Sequence, residues 1–279
     1  MKKVISANLP LLEALKELSP ESSKTTLRSW IKDGRVSVGG EVIKEVNHQV
    51  HQGQEVALGA KPKFVKNFGL RIYFEDNHIV VVEKPAGLLS VATNFETGKT
   101  AHALLKDHYK PKRVFPVHRL DQETSGVMVF ALNDKARDAL KVTFEKHAIE
   151  RVYIAILEGQ LTSLEGSWES YLIEDATYFV RSTTDRERGK IAITHYEVLS
   201  STPRNTTVKL KLETGRKNQI RVHCQDAGHP IVGDVKYGAT TNPIKRLCLH
   251  AHILAFEHPI TKQKLRFESP IPENFQRLM

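Results

Sequence analysis

The first part of the chain carries apolar residues at helical spacing. Leu11, Leu15 and Leu18 recur every three or four residues, which predicts a short helix starting at Leu11. A second helix is predicted over residues 23–33, because Gly34 follows directly and glycine commonly stands just past a helix end. The chain therefore begins with two short helices.

Alternating apolar and polar residues then predict short strands. Arg35–Val38 and Glu41–Ile43 flank the pair Gly39-Gly40, which is typical of a tight hairpin turn. Val50–Leu58 predicts one further strand. The pattern indicates a small α/β module over residues 1–60.

The remaining residues, 70–279, favour a larger sheet with few helices. Thr207–Leu212 alternates polar and apolar side chains, as expected for a sheet with one buried face, and this favours antiparallel pairing. We therefore predict an α+β fold with a mostly antiparallel sheet. The predicted strands are Leu70–Phe74, Ile79–Glu83, Glu150–Gly159, Thr194–Ser200 and Thr207–Glu213, and a helix capped by Asn133 is predicted to end near His147.

Composition adds a linker and a class of partner. Residues 61–69 begin with a short, basic, proline-containing segment and are predicted to link the two domains. The 41 Lys plus Arg exceed the 32 Asp plus Glu, and the net charge of +9 favours a polyanion such as nucleic acid. Cys224 and Cys248 are too few for a disulfide framework, so a cytoplasmic protein is expected, and no apolar run reaches the length that spans a membrane.

One segment carries most of the candidate chemistry. Val117–Val127 reads VHRLDQETSGV and places a single carboxylate, Asp121, in a loop that enters a strand-like run. A loop in that position can hold a catalytic side chain in a fixed direction. Taken alone, these residues allow an alternative, in which Asp121 caps a turn and pairs with Arg119.

The pattern HRLDxxTSG resembles the signature of the RluA-type RNA pseudouridine synthases, which isomerise uridine in RNA. Further resemblances to this family follow in order and cover residues 70–279. The resemblance implies the pseudouridine synthase fold and a uridine-isomerising activity. Two residues depart from the family pattern, since Asn218 stands where histidine is usual and Arg151 where lysine is usual. The other matching segments are Ile72–Leu88, Arg151–Ala155, Gly215–His223 and Leu249–Pro259.

The resemblance also implies roles for three residues. Asp121 is implied as the catalytic carboxylate, acting as nucleophile or stabilising the departing base. Arg221 is implied as its cationic partner, which favours the charged form of a carboxylate. Tyr153 is implied to pack on the target base and to be a candidate for proton transfer. Attack on the sugar, attack on the base and a glycal intermediate remain alternatives, and none of them needs a cofactor.

The N-terminal module offers a basic helix face. Lys24, Arg28, Lys32 and Arg35 recur about one turn apart, which taken alone indicates a solvated charged face. The order of two helices, the pattern DGRVxVxG and a strand resembles the S-four-type RNA-binding module over residues 8–59. That resemblance implies RNA contacts for Arg28, Lys32 and Arg35.

Three further residues are predicted to contact RNA. Arg119 is expected to fill the space that the target base leaves when it turns out of its stack. His118 is predicted to support the loop or contact RNA, and Arg216 to contact RNA. The layout favours large-subunit ribosomal RNA as substrate, with transfer RNA second, and a monomer is the default expectation.

Three other interpretations have less support in the sequence. A noncatalytic RNA-binding or ribosome-assembly protein is the main alternative. A metal hydrolase using His250 and His252 is a remote one, because no carboxylate follows at ligand-like spacing. A nucleotide cofactor is not predicted, since the phosphate-loop pattern that would end at Thr100 has Thr93 where glycine is required.

Overall fold

The computed structural model describes residues 1–59, 63–64, 70–93 and 99–279. These residues form two compact units, Met1–Lys63 and Phe64–Met279. Apart from residues 63 and 64, the predicted linker 61–69 lies outside the described residues. Among the helices that the structure describes, none is long and apolar enough to span a membrane.

The small unit packs two helices against short antiparallel strands. Its core includes Leu15 of the first helix, Leu27 and Ile31 of the second, and Val36 of the sheet, all buried. Strand order in the sheet is β1, β6, β3, β4, and β2 pairs separately with β5. The elements are β1 (Lys2–Val4), β2 (Leu9–Pro10), α1 (Leu11–Leu18), α2 (Lys24–Lys32), β3 (Val36–Val38), β4 (Glu41–Val42), β5 (Gln49–Val50) and β6 (Glu55–Leu58).

The module follows the sequence prediction except that β1 and β2 were not predicted and one predicted strand is divided. Both predicted helices form, and the Ser23 hydroxyl caps α2 by accepting from the Thr26 N–H at 3.1 Å. The hairpin turn at Gly39 and Gly40 also forms. The single strand predicted over Val50–Leu58 is wrong, because a turn with Gly53 at φ 86° divides it into β5 and β6.

The large unit is built on one extended, mostly antiparallel sheet. Strand order runs β14, β13, β15, β16, β12, β17, β11, β9, β8, with β10 beside β11 and β18 beside β17. A short strand β7 (Lys63–Phe64) precedes the elements β8 (Arg71–Glu75), β9 (Ile79–Lys84), α3 (Ala101–His108), β10 (Phe115–Pro116), β11 (Ser125–Ala131), α4 (Asp134–Glu145), β12 (Glu150–Glu158), β13 (Glu165–Glu174), β14 (Val180–Thr183), β15 (Lys190–Ser201), β16 (Asn205–Leu212), α5 (Gln219–Asp226), a 3-10 turn (Val235–Tyr237), β17 (Leu249–Glu257) and β18 (Lys264–Glu268). The predicted α+β fold is confirmed.

The centre of this sheet is apolar on both faces. All residues of β11 are buried, as are the central residues of β12, so the strands at the middle of the sheet fix the loops that leave them. The predicted cap of α4 is present, with Asn133 Oδ1 accepting from the Ala136 N–H at 2.9 Å. Helices α3 and α5 have no counterpart among the predicted elements.

The start of β11 pairs in parallel with β17 through a close backbone approach. Ser125 stands opposite His250 and Gly126 opposite Ala251. A Cβ on Gly126 would lie 2.2 Å from the Ala251 carbonyl oxygen. The φ of Gly126, 121°, is also one that residues with a side chain rarely adopt. Glycine is therefore required here, directly after the loop that carries Asp121.

Candidate active site

Asp121 lies at a pocket of about 60 Å³ where three elements meet. The loop before β11 contributes Asp121, strand β12 contributes Tyr153, and the start of α5 contributes Asn218 and Arg221. The structure therefore brings together the three residues that the family resemblance implies for catalysis. The pocket is also lined by Arg119, Leu120, Thr124, Leu212, Arg216, Gln219, Ile220 and Leu249.

The backbone on both sides of Asp121 is held by hydrogen bonds. The buried Ser90 hydroxyl accepts from the Leu120 N–H at 3.0 Å and donates to the Leu120 carbonyl at 2.7 Å. On the other side, the Gly87 N–H donates to the Gln122 carbonyl at 2.9 Å. The loop is thus fixed by the segment that follows β9, and Asp121 projects from a rigid frame.

Lys84 completes this frame from beneath. Its side chain is fully buried, and its Nζ donates to the carbonyl oxygens of Pro85, Leu88 and Gln122 at 2.9, 2.6 and 2.9 Å. Burial lowers the pKa of Lys84 to about 7, while the nearby Glu123 and Asp121 oppose that shift. No role for Lys84 is predicted from the sequence, although a lysine after the apolar run Ile79–Val82 is a usable signal.

Asn218 contacts the Asp121 carboxylate more closely than Arg221 does. Its Nδ2 donates to Asp121 Oδ2 at 2.9 Å. The Asn218 backbone is left-handed, with φ 54°, a conformation that asparagine adopts more readily than most residues. Asparagine therefore suits both the backbone and the carboxylate at a position where the family usually has histidine.

Arg221 has a stronger partner than the one the resemblance implies. Its Nη1 lies 3.5 Å from Asp121 Oδ2, but its Nε and Nη2 each donate to Asp234 at 2.7 Å. Burial disfavours the guanidinium charge, whereas hydrogen bonding to Asp234 raises the pKa of Arg221. Arg221 is thus oriented by Asp234 and presents its remaining amine to Asp121. Nothing in the sequence pattern marked Asp234.

Tyr153 lies in the pocket wall as a neutral phenol. The side chain is only 9% exposed, and burial raises its pKa to about 12, with Arg151 lowering it and Asp121 raising it further. Arg151 lies close by beneath the loop before α5, where its Nη2 donates to the carbonyls of Glu213 and Thr214 at 3.3 Å. The arginine at this position therefore supports the loop that leads to Asn218.

Buried polar contacts fix α5 against the sheet. Gln219 Nε2 donates to the Ile193 carbonyl at 2.9 Å, and its Oε1 accepts from the Thr214 hydroxyl at 2.7 Å. One turn later, His223 contacts the hydroxyls of Thr194 and Ser170 at 2.9 and 3.0 Å. These contacts set the position of Asn218 and Arg221 relative to Asp121.

The three predicted RNA-contacting residues of this unit differ in their surroundings. Arg119 is exposed at the pocket, and Arg216 is half-buried there, with its Nε donating to the Ile191 carbonyl at 2.9 Å. His118 instead accepts a hydrogen bond from the Val129 N–H through Nε2 at 3.0 Å. Its ring stacks on the Phe144 ring, with 4.6 Å between the ring centres. Burial lowers the pKa of His118 to about 3, so its geometry supports the loop interpretation rather than RNA contact.

In the small unit, the predicted basic face is only partly open. Arg28 and Lys32 are exposed on α2. Arg35 donates through Nε and Nη2 to the Gly59 carbonyl at 3.3 and 3.2 Å, and its guanidinium lies over the Trp30 ring at 5.0 Å. The first two residues are therefore available to phosphates, whereas Arg35 also supports the module.

Two other sequence signals have structural roles. His250 and His252 both approach the Ser269 carbonyl, at 3.3 and 2.7 Å. The segment around the rejected phosphate-loop pattern lies partly outside the described residues, since residues 94–98 are not described. Thr100 caps α3 by accepting from the Ala103 N–H at 3.0 Å.

Comparison with known proteins gives consistent matches. A family model described as RNA pseudouridylate synthase matches residues 78–226, and one described as S4 domain matches residues 9–56. The ribosomal large subunit pseudouridine synthase D of Pseudomonas aeruginosa is 35% identical over 94% of this chain and 88% of its own length. An uncharacterised RNA pseudouridine synthase of Bacillus subtilis is 34% identical over 92% of this chain and 88% of its own length.

Solved structures agree with these matches. The human RNA pseudouridylate synthase domain containing 1 protein superposes with a TM-score of 0.60 at 26% identity, covering 76% of this chain and 86% of that one. The human RNA pseudouridylate synthase domain containing 4 protein superposes with a TM-score of 0.61 at 24% identity. The match covers 74% of this chain and 90% of that one and supports the fold. The chain belongs to the RluA-type family of RNA pseudouridine synthases, which are isomerases acting on RNA, and carries an N-terminal S4 domain.

Proposed function

We propose that this enzyme isomerises specific uridines of large-subunit ribosomal RNA, with Asp121 as the catalytic carboxylate. The observation that carries the assignment of Asp121 is its place at the pocket, in contact with Asn218 and close to Arg221. The choice of RNA rests on the similarity to a protein named ribosomal large subunit pseudouridine synthase D. Transfer RNA is the second candidate substrate.

The reaction defines what the pocket must do. The bond between N1 of uracil and C1′ of ribose breaks, the base turns, and a bond forms between C5 and C1′. The hydrogen on C5 leaves as a proton, and N1 gains one, so neither redox equivalents nor phosphate are consumed. A carboxylate next to C1′ can attack as a nucleophile or stabilise the electron-poor sugar as the base departs.

Asn218 and Arg221 prepare Asp121 for this role. Both contacts reach the same oxygen, Oδ2, through a neutral amide at 2.9 Å and a guanidinium at 3.5 Å. Together these contacts hold the carboxylate in one orientation at the pocket. Because Asp234 holds Arg221 by two hydrogen bonds, the cation keeps its position when the RNA arrives.

Tyr153 and Arg119 are proposed to handle the base. The Tyr153 phenol is neutral at physiological pH and offers a ring face for stacking and a hydroxyl for proton transfer. The target uridine must leave its stack before it can reach the pocket. Arg119, exposed at the pocket, is proposed to occupy the space that it vacates.

The S4 domain is proposed to add affinity outside the target loop. Arg28 and Lys32 are exposed on α2 and carry charges that suit RNA phosphates. An RNA-binding domain in the same chain as the catalytic unit favours a large structured substrate. We propose that the enzyme acts in the cytoplasm as a monomer.

The test is pseudouridine mapping of total RNA from cells with and without the gene. Carbodiimide modification followed by primer extension locates the sites, and complementation compares wild type with Asp121→Asn. We expect one or a few sites in large-subunit ribosomal RNA to disappear and to return only with wild type. Loss of sites in transfer RNA instead would show that transfer RNA is the substrate. Restoration of the sites by Asp121→Asn would show that Asp121 is not the catalytic carboxylate. An unchanged map, together with inactive purified protein, would favour the noncatalytic RNA-binding alternative.

A further inference from the structure

Side-chain hydrogen bonds from one residue, Asp175, fix the turn between β13 and β14. Asp175 Oδ1 accepts from the N–H groups of Thr177 and Phe179 at 2.8 and 3.1 Å and from the Thr177 hydroxyl at 2.6 Å. The Asp175 and Tyr178 backbones are also joined, because the Tyr178 N–H donates to the Asp175 carbonyl at 3.0 Å. We call residues 175–179 the Tyr178 turn.

The Tyr178 turn presents an aromatic ring to solvent from a strained backbone. Tyr178 has φ 63°, and the residue is 52% exposed. A left-handed conformation is uncommon for a bulky residue and costs free energy, which the hydrogen bonds of Asp175 offset. Glycine or asparagine would satisfy this backbone at lower cost, so the ring itself needs an explanation.

Two independent contacts connect the Tyr178 turn to the catalytic pocket. Lys217 donates to the Glu174 carboxylate and to the Tyr178 carbonyl, and its Nζ lies 5.6 Å from the centre of the Tyr178 ring. The next residue along the chain is Asn218, which donates to Asp121.

The second connection runs through stacked rings. The Phe179 ring stacks on the Tyr237 ring, with 5.0 Å between the ring centres. The guanidinium of Arg221 lies over the same Tyr237 ring, 4.7 Å from its centre. Tyr237 is fully buried and donates its hydroxyl hydrogen to the Val180 carbonyl at 3.1 Å. The turn that carries the exposed ring is therefore connected to Arg221 through packed aromatic rings.

The charge around the Tyr178 turn suits RNA. Glu174 neutralises Lys217 in part. Lys236 is exposed, and its Nζ lies 5.4 Å from the centre of the Phe179 ring. Arg216 adds a further positive charge in the lining of the catalytic pocket. An exposed ring beside positive charges is the arrangement by which proteins bind unpaired nucleotides, with stacking on the ring and phosphates near the cations.

We propose that Tyr178 is a stacking platform for an unpaired base of the substrate RNA, next to the target uridine. The inference rests on the proposed function, because turning a uridine out of its stack leaves its neighbours without a stacking partner. A ring whose turn contacts Lys217, the residue before Asn218, can take up one such neighbour. Tyr178 would then help to select substrates whose target lies in a loop.

The test uses a synthetic RNA stem-loop that carries the mapped uridine labelled with tritium at C5. Dissociation constants and single-turnover tritium release are measured for wild type, Tyr178→Phe and Tyr178→Asn. Asparagine suits the left-handed backbone but lacks the ring. Stacking of a base on an aromatic corresponds to about 5- to 140-fold in affinity, so Tyr178→Asn should weaken binding by a factor in that range. Tyr178→Phe should stay within about threefold of wild type because it keeps the ring.

A change in the RNA identifies the stacked base. Each nucleotide flanking the target is replaced in turn by an abasic residue, and binding is measured with wild type and Tyr178→Asn. At one position, base removal should weaken binding to wild type but not to Tyr178→Asn, which a purely structural role of Tyr178 does not predict. Leu164→Ala, which alters a residue 75% exposed between β12 and β13, should behave as wild type.

The outcomes separate the two proposals. Active wild-type enzyme combined with unchanged RNA affinity of Tyr178→Asn would overturn the platform alone. The platform would also be overturned if every abasic substitution weakened binding to Tyr178→Asn as much as it weakened binding to wild type. If wild type releases no tritium, the proposed function fails, and the platform fails with it.

Discussion

Basic residues have contrasting surroundings in the two units. Around Asp121, Arg221 is 11% exposed and Lys84 is fully buried, and each donates hydrogen bonds to several protein acceptors. On α2 of the S4 domain, Arg28 and Lys32 are exposed. A buried cation is expensive to leave unpaired and so fixes geometry, whereas an exposed cation attracts phosphates and is screened by salt. The same charge therefore positions groups in one unit and supplies affinity in the other.

The largest loss of stability is expected where a buried ion pair is broken. Asp234→Ala leaves the Arg221 guanidinium without its two hydrogen bonds at 2.7 Å, and removal of one partner of such a pair costs about 3–5 kcal/mol. The free energy of unfolding in urea measures the loss. Asp138→Ala, which breaks an exposed pair with Arg137, is the matched control and should leave stability unchanged. Equal effects of the two substitutions would contradict the contrast between buried and exposed charges.

The second-largest loss of stability is expected at Lys84. Lys84→Met removes a donor from three carbonyl oxygens while keeping most of the volume of the side chain, and we expect a loss of about 2–4 kcal/mol. Lys141→Met, at an exposed position of α4, should have no comparable effect. Thermal unfolding followed by circular dichroism compares them. Unchanged stability of Lys84→Met would show that the lysine does not hold the Asp121 loop.

Acid should destabilise the large unit through its buried histidines. Burial lowers the pKa of His223 to about 4 and that of His250 to about 3, from an ordinary value of 6.5. Below pH 6.5 the unfolded chain binds a proton at each of these sites and the folded chain does not, so stability falls as the pH falls towards 4. Each such histidine contributes a slope of about 1.4 kcal/mol per pH unit.

Replacing a buried histidine should reduce that slope. Urea unfolding of His223→Gln between pH 6 and pH 4.5 should show a slope smaller by about 1.4 kcal/mol per pH unit than that of wild type. A slope that His223→Gln leaves unchanged would mean that His223 titrates alike in both states.

The smallest effect is expected on α2. Replacing Arg28 and Lys32 together by alanine should leave the free energy of unfolding unchanged and weaken RNA binding about tenfold at low salt. If each residue contacts one phosphate, the slope of log affinity against log salt should fall by about 1.4–1.8. Filter binding over a salt series measures it, with Lys3→Ala as a control in the same unit. An unchanged slope would remove both residues from the RNA interface.

The sequence identified local structure well where pattern and chemistry agree. The loop position of Asp121 follows from the apolar run of β11, and the cap of α4 follows from Asn133. Helix α5 could not be predicted because its buried residues include the polar Gln219 and His223, so that no amphipathic pattern marks it. The break between β5 and β6 was not predicted because the run is strand-like on both sides of Gly53, and the positive φ of that glycine is visible only in the structure.

The site shows a similar division. Asp121, Tyr153 and Arg221 were selected because their motifs resemble a family, and the fold places all three at one pocket. Asp234 lies 13 residues after Arg221 and joins it only through tertiary packing, so no local pattern reveals the pair. The role of Lys84 likewise depends on carbonyl groups that the fold assembles.

The most direct test of the central claim compares purified wild type with Asp121→Asn in single-turnover tritium release from RNA labelled at C5 of uridine. Asparagine keeps the shape of the side chain and removes its charge. We predict that release slows by at least about 1000-fold, equivalent to ~4 kcal/mol of transition-state stabilisation, while the dissociation constant for RNA stays within about threefold. Release by Asp121→Asn at the wild-type rate would contradict the assignment of Asp121 as the catalytic carboxylate.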